Sequence, residues 1–230
     1  MNNLEVNIDA YRTDEAIEKY SNYGLFPSER PLFDKYFSKD KFILDLACGA
    51  GRTTLRLSEL GYKVKGVDLS DRLIDIAKKR FPSIPFEVGS YCDIKEKDSS
   101  IDNILISHNG LDYAFPESQR IKAISECARV IKKKGIFIIS GHNIKSLHSS
   151  PYYLKERKLW MIKNMPQAFK NKSYIFDLGM WTFYCSPAYC INQISASGFI
   201  HIETIGFRHS SNKFFNTFLS PFNHYVFSKQ

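Results

Sequence analysis

The chain has 230 residues, 43% hydrophobic and 24% charged, with a net charge of +8. That length suits one α/β domain with a small cap and is enough to bury a full core. No apolar run approaches the ~20 residues of a membrane span. The polar, acidic opening MNNLEVNIDAYRTDE also lacks the basic stretch and apolar core of a signal peptide, so a cytoplasmic protein is expected.

Residues 1–40 precede the first strand signal and carry Tyr11, Tyr20, Phe33 and Tyr36 among several aromatics. They read as an N-terminal helical cover. Residues 41–46 (KFILDL) form a short apolar run that ends in a glycine turn. A helix is expected over 52–60, closed by Gly61, and 62–67 (YKVKGV) alternates like a strand. Ser70 is placed to cap a helix running to Arg80, with Leu73, Ile74 and Ala77 on one face. Short strands follow at 86–88 and 103–107, then an amphipathic helix over 117–133. Lys132, Lys133 and Lys134 complement the end of that helix and Gly135 stops it. A fifth strand is expected at 136–140, a helix at 186–197, and strands at 201–207 and 224–228. Residues 143–182 are basic and aromatic and too long for a plain connection.

Strands alternating with helices imply right-handed crossovers and a largely parallel sheet. Runs such as ILIS and IFII suit strands buried on both faces. One domain over 1–230 is expected: a cover over 1–40, a cofactor-binding core over 41–142, an acceptor cap over 143–182, and a final helix and strands over 183–230. Cys48, Cys92, Cys127, Cys185 and Cys190 contain no C-x-x-C pair. They read as reduced, buried thiols with neither disulfide framework nor zinc, so no metal is expected.

In sheets of this kind ligands bind at the carboxyl ends of the strands. There the sequence places Asp45-Leu46-Ala47-Cys48-Gly49-Ala50-Gly51 directly after the first strand and Asp68 at the tip of the second. The glycines let the backbone turn tightly against a ligand. A carboxylate at the second tip can accept both hydroxyls of a ribose. Ser70 already caps the next helix, which frees Asp68 for that role. A dinucleotide site normally has a third glycine where this chain has Thr54. Asp45 would also repel a pyrophosphate, whereas it suits a ligand bearing an ammonium group.

These features resemble class I S-adenosylmethionine-dependent methyltransferases, in particular the small-molecule branch. The stretches LDLACGAGRTTLRLSELGYKVKGVDLS and ARVIKKKGIFIIS carry the likeness. The resemblance implies an α/β, Rossmann-like, mostly parallel seven-stranded sheet with helices on both faces, an antiparallel last strand and a small cap. It implies S-adenosyl-L-methionine as cofactor. Asp45, Ala47, Gly49 and Gly51 would hold the methionine moiety, Asp68 the ribose and Leu69 the adenine. Ser90, Tyr91 and Asp93 would lie where the adenine amino group is read, with Ser90 standing where the family often has Asp. Ser107, His108 and Asn109 would pass under the sulfonium, and Tyr20 and Arg30 would cover the cofactor from the N-terminal helix.

Methyl transfer from a sulfonium needs position more than activation, though an amine or hydroxyl acceptor can require a base. His108 and His142, at adjacent strand tips, are the catalytic candidates. The acceptor is expected to be a small molecule methylated on N or O. A sugar or nucleotide-sugar suits the aromatic and basic residues of 143–182. RNA or protein methylation is the alternative raised by the +8 charge, disfavoured by the lack of a base-flipping motif. A non-catalytic cofactor-binding domain is the third alternative.

Overall fold

The structure is a computed structural model that describes residues 24–146, 171–177 and 180–230. The strands are β1 (Phe42–Leu46), β2 (Lys63–Asp68), β3 (Phe86–Val88), β4 (Ile101–Ile106), β5 (Ile131–His142), β6 (Lys172–Asp177), β7 (Met180–Cys185), β8 (Phe199–Gly206) and β9 (Phe222–Lys229). The helices are α1 (Glu29–Tyr36), α2 (Arg52–Glu59), α3 (Asp71–Arg80), α4 (Glu117–Val130), α5 (Pro187–Ser195) and α6 (Lys213–Phe218), with a 3-10 turn at Gly110–Tyr113.

Seven strands form one sheet in the order β3-β2-β1-β4-β5-β9-β8. β1 pairs in parallel with β2 and β4, as do β2 with β3 and β4 with β5, whereas β9 runs antiparallel to both β5 and β8. The mostly parallel sheet with an antiparallel last strand is therefore as expected from the sequence. Period-two alternation explains its two dry faces. Leu44, Ile104, Ile106, Phe137, Ile139 and Phe227 pack with Ala123, Ile124 and Cys127 of α4 and with Cys190 and Ile194 of α5. Their neighbours Ile43, Leu105, Ile138 and Val226 face the other way, against Leu32 and Phe33 of α1 and Leu57 of α2. The N-terminal cover expected before β1 is thus, in its described part, a helix with its apolar stripe in the core. All five cysteines are free and buried.

The caps follow the local chemistry. Ser70 Oγ accepts the Leu73 N–H at 3.3 Å at the start of α3, and Ser186 and Asn212 cap α5 and α6 in the same way.

One boundary needs correction. The helix expected over 117–133 ends at Val130, and Ile131 already pairs with Ile101 as the first residue of β5. The lysine run belongs to that strand, with Lys132 Nζ on Asp102 at 2.8 Å. Gly135 is a close-approach glycine and not a helix stop: a Cβ there would lie 2.5 Å from the Asp102 carbonyl oxygen.

The segment read as a cap, 143–182, contributes the antiparallel hairpin β6–β7. The remainder of it, 147–170 and 178–179, lies outside the described residues. The hairpin rests on the chain after the 3-10 turn. Tyr174 donates its hydroxyl hydrogen to the Ala114 carbonyl at 2.7 Å, and Phe115 stacks on Trp181 with ring centroids 4.9 Å apart.

Candidate active site

From β1 the chain passes to β2 and β3 on one side and then returns to place β4 on the other side of β1. Connections leaving the carboxyl ends of β1 and β4 therefore diverge, and the gap between them is where such sheets bind ligands. A cleft of about 1090 Å³, open mouth included, lies there. Its walls come from the turn after β1, the tips of β2, β3 and β4, and the first residues of α2.

The β1 turn is tight. Ala47, Gly49 and Gly51 all have positive φ, at 54°, 58° and 87°. A Cβ on Gly51 would run into the Phe86 ring at 2.9 Å, whereas one on Gly49 would meet nothing nearer than Leu73 Cδ1 at 4.0 Å. Gly49 therefore fronts empty space in the cleft, and the αL backbone there disfavours any side chain. Asp68 locks this turn to β2. Its Oδ2 accepts the Gly49 N–H and its Oδ1 the Ser70 N–H, each at 2.8 Å. Burial raises its pKa, and these backbone hydrogen bonds oppose the rise. Each oxygen retains a lone pair for a further donor from the cleft.

Leu69, 41% exposed, stands at the rim, with Ser90 and Tyr91 opposite. Ser90 Oγ is engaged by the Cys92 N–H at 3.0 Å. Burial pushes the Tyr91 phenol well up, so it serves as a neutral hydroxyl. On the β4 side Ser107 and His108 line the cleft together with Gly110 and Tyr113. His108 has φ 49° and its ring lies 5.3 Å from Phe26.

Four of the expected site residues stand elsewhere. Asp45 is fully buried beneath the turn, its Oδ2 accepting the hydroxyls of Thr53 and Thr54 at 2.7 Å each. It ties α2 to β1 instead of facing a ligand, and Thr54 at the place of a third glycine is the other half of that tie. Burial raises the Asp45 carboxyl to about 6 despite both threonines. Arg30 points to the surface and pairs with Asp34 at 2.6 Å. Asp93 is exposed and lines a smaller neighbouring recess with Lys65 and Glu87. Asn109 is buried and turns its amide to His142. Tyr20 lies outside the described residues.

In the place where Arg30 was expected, the structure brings Arg52 and Glu29 together. Nη1 and Nη2 of Arg52 each donate to Glu29 at 2.7 Å, and Nη2 also donates to Ser107 Oγ at 3.0 Å. Ser107 Oγ in turn donates to Glu29. Arg52 Nη1 additionally donates to the Gly24 carbonyl, and Glu29 accepts the Phe26 N–H. Burial would raise the Glu29 carboxyl, but Arg52 outweighs it and holds the group below its usual range. This latch binds the segment 24–29 across the tips of β1 and β4. His224 lies beside it, its Nδ1 3.2 Å from Ser28 Oγ, and burial lowers its pKa to about 4.

A second polar cluster sits at the tips of β4 and β5. Asp112, Arg120 and His142 meet there, next to Tyr113 and Tyr184. Among the described residues no group of acids, histidines or cysteines has metal-binding geometry, and no helix is long and apolar enough to cross a membrane.

Comparison with known proteins agrees with this geometry. Residues 43–135 match the family model described as "Methyltransferase domain". The chain is 31% identical over 111 residues to a ubiquinone/menaquinone biosynthesis C-methyltransferase of Campylobacter jejuni, covering 45% of this chain and 46% of that one. It is 33% identical over 108 residues to a ubiquinone biosynthesis O-methyltransferase of Coxiella burnetii, covering 46% and 45%. The chain thus spans less than half the length of these curated relatives. A SAM-dependent methyltransferase structure from Methanosarcina mazei superposes with a TM-score of 0.68 at 18% identity, over 90% of this chain and 99% of that one. The CcbJ methyltransferase of Streptomyces caelestis gives 0.67 at 14%, over 93% and 95%. At such identities the likeness is one of fold. Sheet order and superposition thus give this chain the fold of those methyltransferase structures, and the domain match falls on the part that carries the glycine turn and Asp68.

Proposed function

We propose that this chain transfers a methyl group from S-adenosylmethionine to a nitrogen or oxygen of a small molecule. The observation that carries this reading is the pairing of the open cradle at Gly49 with the braced carboxylate of Asp68 across one cleft. When bound, the cofactor supplies a methyl group on a sulfonium, an electrophile that the protein must orient and desolvate. Asp68 would accept the ribose hydroxyls on its remaining lone pairs. Leu69 offers an apolar edge for the adenine, with Ser90 and Tyr91 beside it. Ala47, Gly49 and Gly51 shape the floor under the methionine part. Ser107 and His108 face the reacting end, and Ser107 is held by the Glu29–Arg52 latch.

The acceptor would enter beyond the tips of β4 and β5, where His108 and His142 are the candidates for taking a proton. Two relatives with named small-molecule pathways, the quinone C- and O-methyltransferases, support a small acceptor. The half-buried rings of Tyr174, Trp181 and Tyr184 in the β6–β7 hairpin support an acceptor with a stackable face, such as a sugar or nucleotide-sugar. The net charge of +8 favours RNA as the second reading.

The test is methyl consumption from radiolabelled S-adenosylmethionine across a panel of aminosugars, nucleotide-sugars and phenols, run beside a salt series of RNA binding. Turnover on a panel member supports the proposal. Tight, salt-sensitive RNA affinity with RNA methylation would replace it by the second reading, and cofactor binding without any turnover would mark a non-catalytic domain. Deleting part of residues 150–175 is expected to raise the acceptor KM while leaving cofactor affinity nearly intact.

A further inference from the structure

Asp112 follows β4 in the 3-10 turn and is 1% exposed, yet it touches neither the cleft nor solvent. Its Oδ1 accepts from Arg120 Nη1 at 2.7 Å, and Arg120 is itself fully buried. Its Oδ2 accepts the backbone N–H of His142 at 2.6 Å and lies 3.0 Å from His142 Nδ1. Arg120 is anchored in turn by the Leu111 carbonyl, by Gln193 and by the face of Phe183. Burial works against the Arg120 charge, and Asp112 more than offsets it. A guanidinium has only donors and keeps its charge, so the carboxylate opposite it is an acceptor only.

That assignment decides the state of the histidine. An acceptor-only Asp112 requires the hydrogen on His142 Nδ1, which leaves the lone pair of the neutral ring on Nε2. At Nε2 the partner is the amide nitrogen of Asn109, 3.1 Å away. With this tautomer each contact along Arg120, Asp112, His142 and Asn109 pairs a donor with an acceptor. The ring is 20% exposed and lies against Tyr184 and Tyr113, and Tyr113 also lines the cofactor cleft.

We propose that Asp112, backed by Arg120, is a positioning residue that fixes His142 as the Nδ1–H tautomer and aims the Nε2 lone pair at the acceptor space. This rests on the methyltransferase reading and narrows its substrate class to acceptors whose methylated atom carries a proton: a hydroxyl or an amine. Such a group takes the place of the Asn109 amide at Nε2. As the new bond to the methyl carbon forms and the sulfur–carbon bond breaks, the acceptor proton passes to Nε2. The resulting imidazolium keeps its Nδ1–H on Asp112 and later releases the Nε2 proton to water. Each good base of this kind is worth on the order of 10²–10⁴-fold in rate.

The experiment uses the full chain labelled with 15N-histidine, with the His142 resonances assigned by their absence in His142→Gln. Nitrogen shifts at neutral pH should show Nδ1 protonated and Nε2 bare. Asp112→Asn should move a major fraction to the Nε2–H form. Carbethoxylation of His142 by diethyl pyrocarbonate, read by peptide mass spectrometry, should slow several-fold in Asp112→Asn. It should quicken in Asn109→Gly, which keeps the positive φ of 60° at that position and uncovers Nε2. An Nε2–H ring in the wild-type chain, or a His142 that stays unreactive in both wild type and Asn109→Gly, overturns the proposal, and neither result depends on any variant of Asp112 folding. Calorimetry with S-adenosylhomocysteine on the same samples keeps the two readings apart: lost binding in the wild type sinks the methyltransferase reading whatever the tautomer, and retained binding leaves it standing whatever His142 does.

Discussion

Asp45 sits under the β1 turn with both threonine hydroxyls on one oxygen and no partner on the other. Its carboxyl is raised to about 6 by burial, against about 3.9 in an unfolded chain. Between those values the folded state holds the extra proton, so this group makes stability fall as pH rises through the window from about 4 to about 6. Two pH units correspond to about 3 kcal/mol. An asparagine carbonyl can accept the same two hydroxyls without a charge to desolvate. Asp45→Asn is therefore expected to stabilise the fold at pH 7 by up to about 3 kcal/mol and to match the wild type near pH 4. His224 has the opposite sign: held neutral with a pKa of about 4, it contributes stability that is lost as pH falls from about 6.5 to about 4. The two largely offset each other in the wild type, so Asp45→Asn should fall more steeply on acidification. Urea unfolding at several pH values measures both, and a wild-type-like slope in the variant would contradict the assignment. At Asp68, which the proposed function places on the ribose, Asp68→Ala should weaken S-adenosylhomocysteine by roughly 1.5–3 kcal/mol and also loosen the turn whose Gly49 N–H it holds. Unchanged affinity in a folded variant would remove Asp68 from the site. Gly49 and Asp68 were legible in the sequence because a glycine turn after a strand and an acid after the next are local patterns that fix geometry. The role of Asp45 was not, because only tertiary packing shows that Thr53 and Thr54 reach back to it.

The elements carry the next set of contacts. Glu29 and Arg52 stand 23 residues apart in sequence, on α1 and α2, and no spacing rule pairs them. The N-terminal helix was expected to cover the cleft, and the family resemblance pointed to Arg30, the residue after Glu29, as the one that does so. Removing one partner of a buried pair typically costs about 3–5 kcal/mol, whereas an exposed pair contributes about 0–1 kcal/mol. Glu29→Gln should therefore destabilise the fold severely, and Arg30→Ala, on the surface with Asp34, should change neither stability nor S-adenosylhomocysteine affinity. Thermal unfolding of the two variants separates them, and equal losses would show that the latch holds nothing. The end of α4 was misplaced for a related reason. Three lysines before a glycine satisfy a helix terminus, yet here Ile131 is drawn into the sheet by pairing with Ile101, and tertiary pairing overrides local preference. The β6–β7 hairpin was passed over because Tyr174, Ile175 and Phe176 are apolar on both sides of the strand, which hides the alternation. Gly179, between the two strands, was the available turn signal.

At the scale of the whole molecule the sheet order explains the division of labour. The chain reverses between β1 and β4, and the cleft opens over that reversal with the Gly49 turn and Asp68 on one side and Ser107 and His108 on the other. The parallel order of the core was legible because strand and helix signals alternate from residue 41 onward. The polar cluster of Asp112, Arg120 and His142 was not, because its members come from a 3-10 turn, a helix and a strand tip that meet only when the sheet is assembled. On this geometry His108→Ala and His142→Ala should lower turnover far more than cofactor affinity, and equal losses in both would dissolve the separation of cofactor and acceptor sides. The most direct measurement is a calorimetric titration of S-adenosylhomocysteine into the wild-type chain and into Gly49→Val. The wild type should bind. Gly49→Val, whose branched side chain would stand in the open cradle at a φ of 58°, should remain folded by circular dichroism and show no binding. Binding of equal strength in both, or none in the wild type, would mean that the cofactor does not lie against this turn.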